Sequence, residues 1–149
     1  MILPVPHYQQ AHPHSCVPAC ARMILAYYGQ EYDEETLVQT FNTIPILGTQ
    51  PDDVVSGLEK LGYHALWFEN ATIERILEIL AAKWPLIAFL RAQDLPHGRV
   101  GIHAVVIIGI ENDTVICLDP TLTEPLHISL PSFVSLWANL GHQGMAIWK

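Results

Sequence analysis

Cys16 is the residue of this chain whose type and placement best suit nucleophilic chemistry. It heads residues 16–28, in which Ala19, Met23, Ile24 and Tyr27 recur at helical spacing, Pro18 fits the first turn and Gly29 closes the end. Unpaired N–H groups and the dipole at a helix start favour a thiolate, which a nucleophilic thiol requires. Cys20, one turn further in beside Ala19 and Met23, has the setting of a small buried hydrophobe. Taken alone, a cysteine at a helix start is more often a buried, inert thiol than a nucleophile. His12, His14, Cys16 and Cys20 crowd into the same stretch and raise the question of zinc. They lack the paired Cys-x2-Cys or His-x3-His spacing of structural zinc sites, and Pro13 stiffens the segment. The Cys16–Cys20 spacing is also not that of a thioredoxin-type redox pair.

His103 is the informative histidine of eight. It sits at the start of the apolar run 102–110, which is followed by a second run ending Cys117-Leu118-Asp119-Pro120. If residues 109–113 form a five-residue hairpin loop, residues 103–108 face 114–119 one for one. His103 then stands directly opposite Asp119, with Cβ atoms about 5 Å apart. Asp119 would accept the Nδ1 proton of the ring, fix its tautomer and stabilise its charged form. A two-residue turn at Asn112-Asp113 would break this pairing. The hairpin by itself fits a structural His–Asp pair, but a thiol at a helix start and a His–Asp pair on a sheet are also the two halves of a cysteine-nucleophile site. The remaining histidines (His7, His12, His14, His64, His97, His127 and His142) lack such a partner pattern and are expected at the surface.

The elements that must position these residues follow from pattern. Residues 1–15, rich in Pro, Gln and His, read as an extended arm. After the first helix comes a short one capped by Asp33, with Glu34 and Glu35 suiting its N-terminus. A third helix covers about 51–61, and a fourth, capped by Asn70 or Thr72, ends near Lys83. Strands are expected at 63–68, 86–90, 102–110, 115–118 and 145–148, with a last helix over 132–139. Helices first and strands later predict a single α+β domain over 1–149, its N-terminal helices packed on a C-terminal antiparallel sheet. Half of the residues are apolar and 15% charged, a globular composition. Fifteen acidic against seven scattered basic residues argue against nucleic-acid binding or an anionic membrane surface. No apolar run reaches the roughly 18 residues of a membrane span. Three cysteines that cannot all pair, and residues 1–6 without the pattern of a signal peptide, predict reduced thiols and a cytoplasmic protein.

The stretch Gln10 to Gly29 has Gln-x5-Cys, a second Cys four residues on, and Met-Ile-Leu-Ala-Tyr-Tyr-Gly at the helix end. His103 is followed sixteen residues later by Asp119 in an Asp-Pro dipeptide. Together these motifs resemble the bacteriocin-processing, double-glycine leader peptidase family, a branch of the papain-like superfamily, over nearly the whole chain. The resemblance implies a papain-like fold with Cys16 as nucleophile, His103 as general base and acid, and Asp119 as its orienter. It further implies that Gln10 donates its side-chain amide to an oxyanion hole beside the backbone N–H of Cys16. A peptide or protein substrate follows, cut after small residues such as Gly-Gly, with no metal or cofactor. Ser15 and Val17 depart from the Asp and Gly that often flank the family's nucleophile. The chain also lacks the membrane helices and Gly-x4-Gly-Lys loop of the exporter-linked members, which implies a free-standing form. A catalytically silent peptide-binding module, an acyl transferase using the same residues and a zinc-binding adaptor are the rival readings.

Overall fold

The computed structural model of the chain describes residues 1–91, 93, 95 and 101–149; His97 lies outside them. The element order is α1 (Cys16–Tyr27), α2 (Glu34–Thr40), α3 (Pro51–Lys60), β1 (His64–Phe68), α4 (Ile73–Ala81), β2 (Leu86–Arg91), β3 (Ile102–Glu111), β4 (Thr114–Leu118), β5 (Leu126–Ser129), α5 (Leu130–Ala138) and β6 (Gly144–Trp148). The strands form one antiparallel sheet in the order β1-β6-β2-β3-β4-β5. This is the α+β architecture expected from the sequence. β5 is not among the expected strands: its four residues, just after Pro125 and paired to β4, carry too short a pattern to stand out.

Local chemistry accounts for the helix starts. Asp33 accepts from Thr36 N–H at 2.7 Å and Thr72 from Arg75 N–H at 3.2 Å. Both are side-chain caps that satisfy an otherwise orphaned donor. α1 is apolar on nearly every side, with Ala19, Cys20, Ala21, Met23, Ile24 and Leu25 all fully buried. Such a helix must be covered all round. The Tyr28 hydroxyl just beyond it donates to Ile147 O at 2.7 Å and anchors that end to β6. β3 is buried along most of its length because covering elements leave neither side of it to solvent. Each of Val105, Val106 and Ile107 thereby contributes roughly 2 kcal/mol of burial.

The β3–β4 hairpin corrects the expected register. The turn is the two-residue Asn112-Asp113, with φ of 50° and 58°, the left-handed pair that a type I′ turn requires. Glu111 faces Thr114, Ile110 faces Val115 and Gly109 faces Ile116; then the ladder shifts, and Ile107 faces Cys117 and Val106 faces Leu118. Without that shift Asp119 would lie opposite Val106, and His103, three residues away, would point to the other side of the sheet. The β-bulge at Ile108 changes the parity. Continued by one step, the register sets Asp119 against Val105 and puts His103 on the same side, one diagonal away. The backbone oxygen of Ile108 accepts from Leu3 N–H at 2.9 Å, so the N-terminal arm closes the bulge.

α2 and α3 pack at Gly57, where an added Cβ would come within 2.7 Å of Phe41 Cδ1 and 2.9 Å of Thr40 O. Helix propensity alone predicts that Gly57→Ala would stabilise by about 1 kcal/mol. The close approach reverses the sign, and a loss of about 1–3 kcal/mol is expected in denaturant unfolding.

Candidate active site

Cys16 opens α1 and is partly exposed, whereas Cys20 and Cys117 are buried. The residue before it, Ser15, occupies the N-cap position but makes no side-chain cap hydrogen bond. Its hydroxyl turns back to lie 2.9 Å from His12 O and 3.1 Å from Glu34 Oε2, and accepts from His12 N–H at 3.1 Å.

His103 is 4% exposed and Asp119 is fully buried. The ring presents Nε2 to Asp119 Oδ1 at 2.7 Å. A carboxylate can only accept, so Nε2 carries the proton, and Nδ1 is the nitrogen that can serve the thiol. The sequence-based expectation of an Nδ1 bond to Asp119 is thus reversed, because the diagonal placement brings the far nitrogen of the ring to the carboxylate. The ring also hydrogen-bonds Cys16. Burial on its own would lower the His103 pKa, but the hydrogen bonds and charges of Asp119 and Cys16 outweigh it and bring it up to about 9. For Asp119, burial pushes upward, while the His103 hydrogen bond and charge, followed by Thr121, prevail and hold it at about 2. A protonated imidazole facing an ionised carboxylate is the stable form at neutral pH.

Asp119 is itself held in place. Thr121 donates its backbone N–H at 2.8 Å and its hydroxyl at 2.6 Å to the same Oδ1. His7 Nε2–H donates to Asp119 O at 2.8 Å, so His7 is a half-buried strut rather than the surface residue expected. Gln10 N–H donates to Pro120 O at 2.8 Å, and its side-chain Nε2 donates to His12 O at 2.7 Å. Because a carbonyl accepts only, that contact fixes the amide's orientation and leaves one Nε2 proton for another acceptor. His12 and His14 stack on each other 5.4 Å apart.

The structure therefore brings Cys16, His103 and Asp119 into one hydrogen-bonded row, with Gln10 in the turn that leads to Cys16. Sequence reasoning missed Thr121, His7 and Glu34. Only Thr121 left a signal, since a threonine two residues after an aspartate is a recurrent turn partner. A cavity of about 370 Å³ beside the thiol is lined by His14, Val17, Leu47, Trp67, Phe89 and Ile102 among others. A larger groove of about 600 Å³ is bordered by Trp84 and Trp148 and has no cysteine or histidine among its described lining residues. No described helix is long and apolar enough to cross a membrane.

The family model described as Peptidase_C39 like family matches residues 2–145. No curated protein matches the chain by sequence. Among solved structures, a protein from Bacillus anthracis assigned as a C39-like peptidase is 19% identical, with a TM-score of 0.82 over 99% of this chain and 96% of that one. The peptidase domain of Streptococcus ComA, a bi-functional ABC transporter of a quorum-sensing pathway, is 23% identical, with a TM-score of 0.74 and 95% of each chain covered. A double glycine motif protease from an AMS/PCAT transporter, solved with its leader peptide, is 18% identical, with a TM-score of 0.74 over 99% of this chain and 93% of that one. The fold is the one these peptidase domains share.

The raised His103 pKa makes stability depend on pH. A group whose folded pKa exceeds its ordinary 6.5 stabilises the fold fully below that value and ceases to as pH rises through about 9. The melting temperature should therefore fall between pH 6.5 and 9, and the fall should be smaller in His103→Asn. Carboxamidomethylation of Cys16 removes one of the ring's two partners and should draw the midpoint of that fall downward. A wild-type melting curve flat across this range would contradict the arrangement.

Proposed function

This chain belongs to the Peptidase_C39 like family, and on that premise we propose that it is a cysteine peptidase working through a thioester acyl-enzyme on peptides with a small residue before the scissile bond. The observation that carries the reading is the His103 imidazole held between the Cys16 thiol and the buried Asp119 carboxylate.

Each atom then has a task. His103 Nδ1 holds the proton that leaves the thiol, and the thiolate attacks the peptide carbonyl carbon. The developing oxyanion meets the backbone N–H of Cys16 and the remaining Nε2 proton of Gln10. Nδ1–H then protonates the departing amine as the C–N bond breaks, leaving a thioester. Water attacks the thioester, His103 takes its proton, and the thiol is released with a carboxylate product. Asp119 stays ionised throughout and stabilises the imidazolium, as its low pKa favours.

The cavity beside Cys16, with its apolar walls, supports a peptide as the ligand. So does the relative solved with its leader peptide. A silent binding module has no use for a thiol paired with imidazole. Acyl transfer to an amine uses the same residues and differs only in product, which mass spectrometry with an added amine distinguishes.

Cys16→Ala should abolish cleavage with the fold intact, and His103→Ala should nearly do so. Asp119→Asn should cost less, because the amide oxygen can still accept from Nε2. Gln10→Ala should lower kcat about a hundredfold with KM little changed. Iodoacetamide at neutral pH should label Cys16 ahead of Cys20, whose pKa burial raises, and of Cys117, which burial lifts to about 12. Equal labelling of all three thiols in the native protein would count against the assignment.

Glycine fits a cleft that touches the substrate backbone on both sides, because it has no Cβ to clash. A peptide library digested by the purified protein should show glycine or alanine immediately before the cut. A preference there for arginine, leucine or an aromatic residue would overturn the specificity while leaving the catalytic assignment standing.

A further inference from the structure

Glu34 is a charged side chain, 7% exposed, at the first position of α2. Nothing in helix formation requires it to be buried, because Asp33 already caps that helix. Its two oxygens accept the N–H of Ala11 at 3.1 and 3.0 Å, and Oε2 also faces the Ser15 hydroxyl at 3.1 Å. Ala11 follows Gln10 and Ser15 precedes Cys16, so one carboxylate grips the backbone turn at both ends. These are the two residues whose donors must converge on a single oxygen.

The grip has a second consequence. A serine at a helix N-cap ordinarily turns its hydroxyl inward to accept a first-turn N–H. Here the hydroxyl is held by Glu34 and His12, and no side-chain cap forms. The first-turn donors of α1 are thereby left to whatever binds at Cys16. His12 O, the acceptor for Gln10 Nε2, lies within the same turn and accepts from Ser15 N–H at 3.2 Å. Carboxylate, serine, His12 carbonyl and Gln10 amide thus form one connected set.

We propose that Glu34 is a positioning residue for the oxyanion hole, acting through Ala11 and Ser15 to set the separation of the Gln10 amide and the Cys16 N–H. The proposal rests on the peptidase reading above. Displacing preorganised donors by a fraction of an ångström weakens the transition state and leaves ground-state binding alone.

The test uses the full chain, with kcat expressed per Cys16 titrated by iodoacetamide so that a misfolded fraction does not count. Glu34→Ala should lower kcat by about a hundredfold with KM changed less than about twofold. Glu34→Gln, which keeps one acceptor, should lose about tenfold, and Glu34→Asp should recover part of the loss. The Cys16 alkylation rate should stay near wild type in all three. A peptide aldehyde ending in glycine supplies an independent reading. Its adduct with Cys16 places an oxygen in the hole without turnover, and its affinity should fall in step with kcat. Wild-type kcat and aldehyde affinity in Glu34→Ala would overturn the proposal. So would losses in kcat matched by equal losses in alkylation rate, which would mark a structural role only. If wild type binds the aldehyde but cleaves no peptide, the peptidase reading fails and Glu34 stands or falls on aldehyde affinity. If wild type does neither, both are overturned.

Discussion

One residue without a partner in the β3–β4 ladder carries much of this architecture. A two-residue type I′ turn fixes the hairpin register to within a residue, and in a strand that register decides which side every residue faces. The turn alone would send His103 and Asp119 to opposite sides of the sheet. The bulge at Ile108 reverses the parity for everything between it and the site, so the imidazole and the carboxylate meet 2.7 Å apart. It also frees a carbonyl that must find a donor, and Leu3 N–H supplies it. That bond starts the arm on its path. The chain then reaches Asp119 O through His7 and Pro120 O through Gln10 before entering the turn at Cys16. Histidine, aspartate and the approach to the cysteine are therefore held to one hairpin edge.

Two carboxylates, Asp119 and Glu34, are among the few polar side chains buried in a largely apolar interior of the described residues. Removing a charge from water costs several kcal/mol unless hydrogen bonds and a counter-charge replace the hydration. Asp119 has the His103 ring and both Thr121 donors on one oxygen, which is why its pKa falls to about 2 despite burial. Glu34 has the Ala11 N–H shared between its oxygens and the Ser15 hydroxyl against one of them. Neither arrangement is the cheapest way to fill space, since apolar side chains of like volume would serve stability as well or better. What each secures is fixed geometry at one end of the Cys16–His103 row.

The legible part of the sequence was the part governed by short range. Helix starts at Cys16 and Asp33 are legible, and that at Thr72 to within the choice between Asn70 and Thr72, because caps, dipoles and apolar spacing act within a turn or two. The apolar runs of β2, β3 and β6 were visible because burial demands them. The side of the sheet each residue faces was not, because both hairpin loops were compatible with the sequence and a bulge has no strong local signature. The Cys16–His103–Asp119 grouping emerged from residue types and motif resemblance even though the register behind it was misjudged. The ring nitrogen was misassigned for the same reason, since direct and diagonal pairing present different nitrogens. By sequence alone Glu34 is a favourable charge at a helix start. Its contact with residues 23 and 19 positions earlier depends on how α2 lies against the arm, and nothing local encodes that.

The three thiols differ by position rather than by residue type. Cys20 and Cys117 lie in the covered interior, where burial chiefly, and nearby negative charge including that of Asp119 to a lesser degree, opposes ionisation. Cys16 lies only one turn from Cys20, yet it stands at the helix end, partly exposed and hydrogen-bonded to a ring that is cationic at neutral pH. Asp119 sustains the cation beside Cys16 through the ring it holds, while at Cys20 and Cys117 its charge adds a lesser push to the burial that keeps both thiols neutral. On the proposed reading, that division leaves one accessible thiol to act while the two buried ones stay inert.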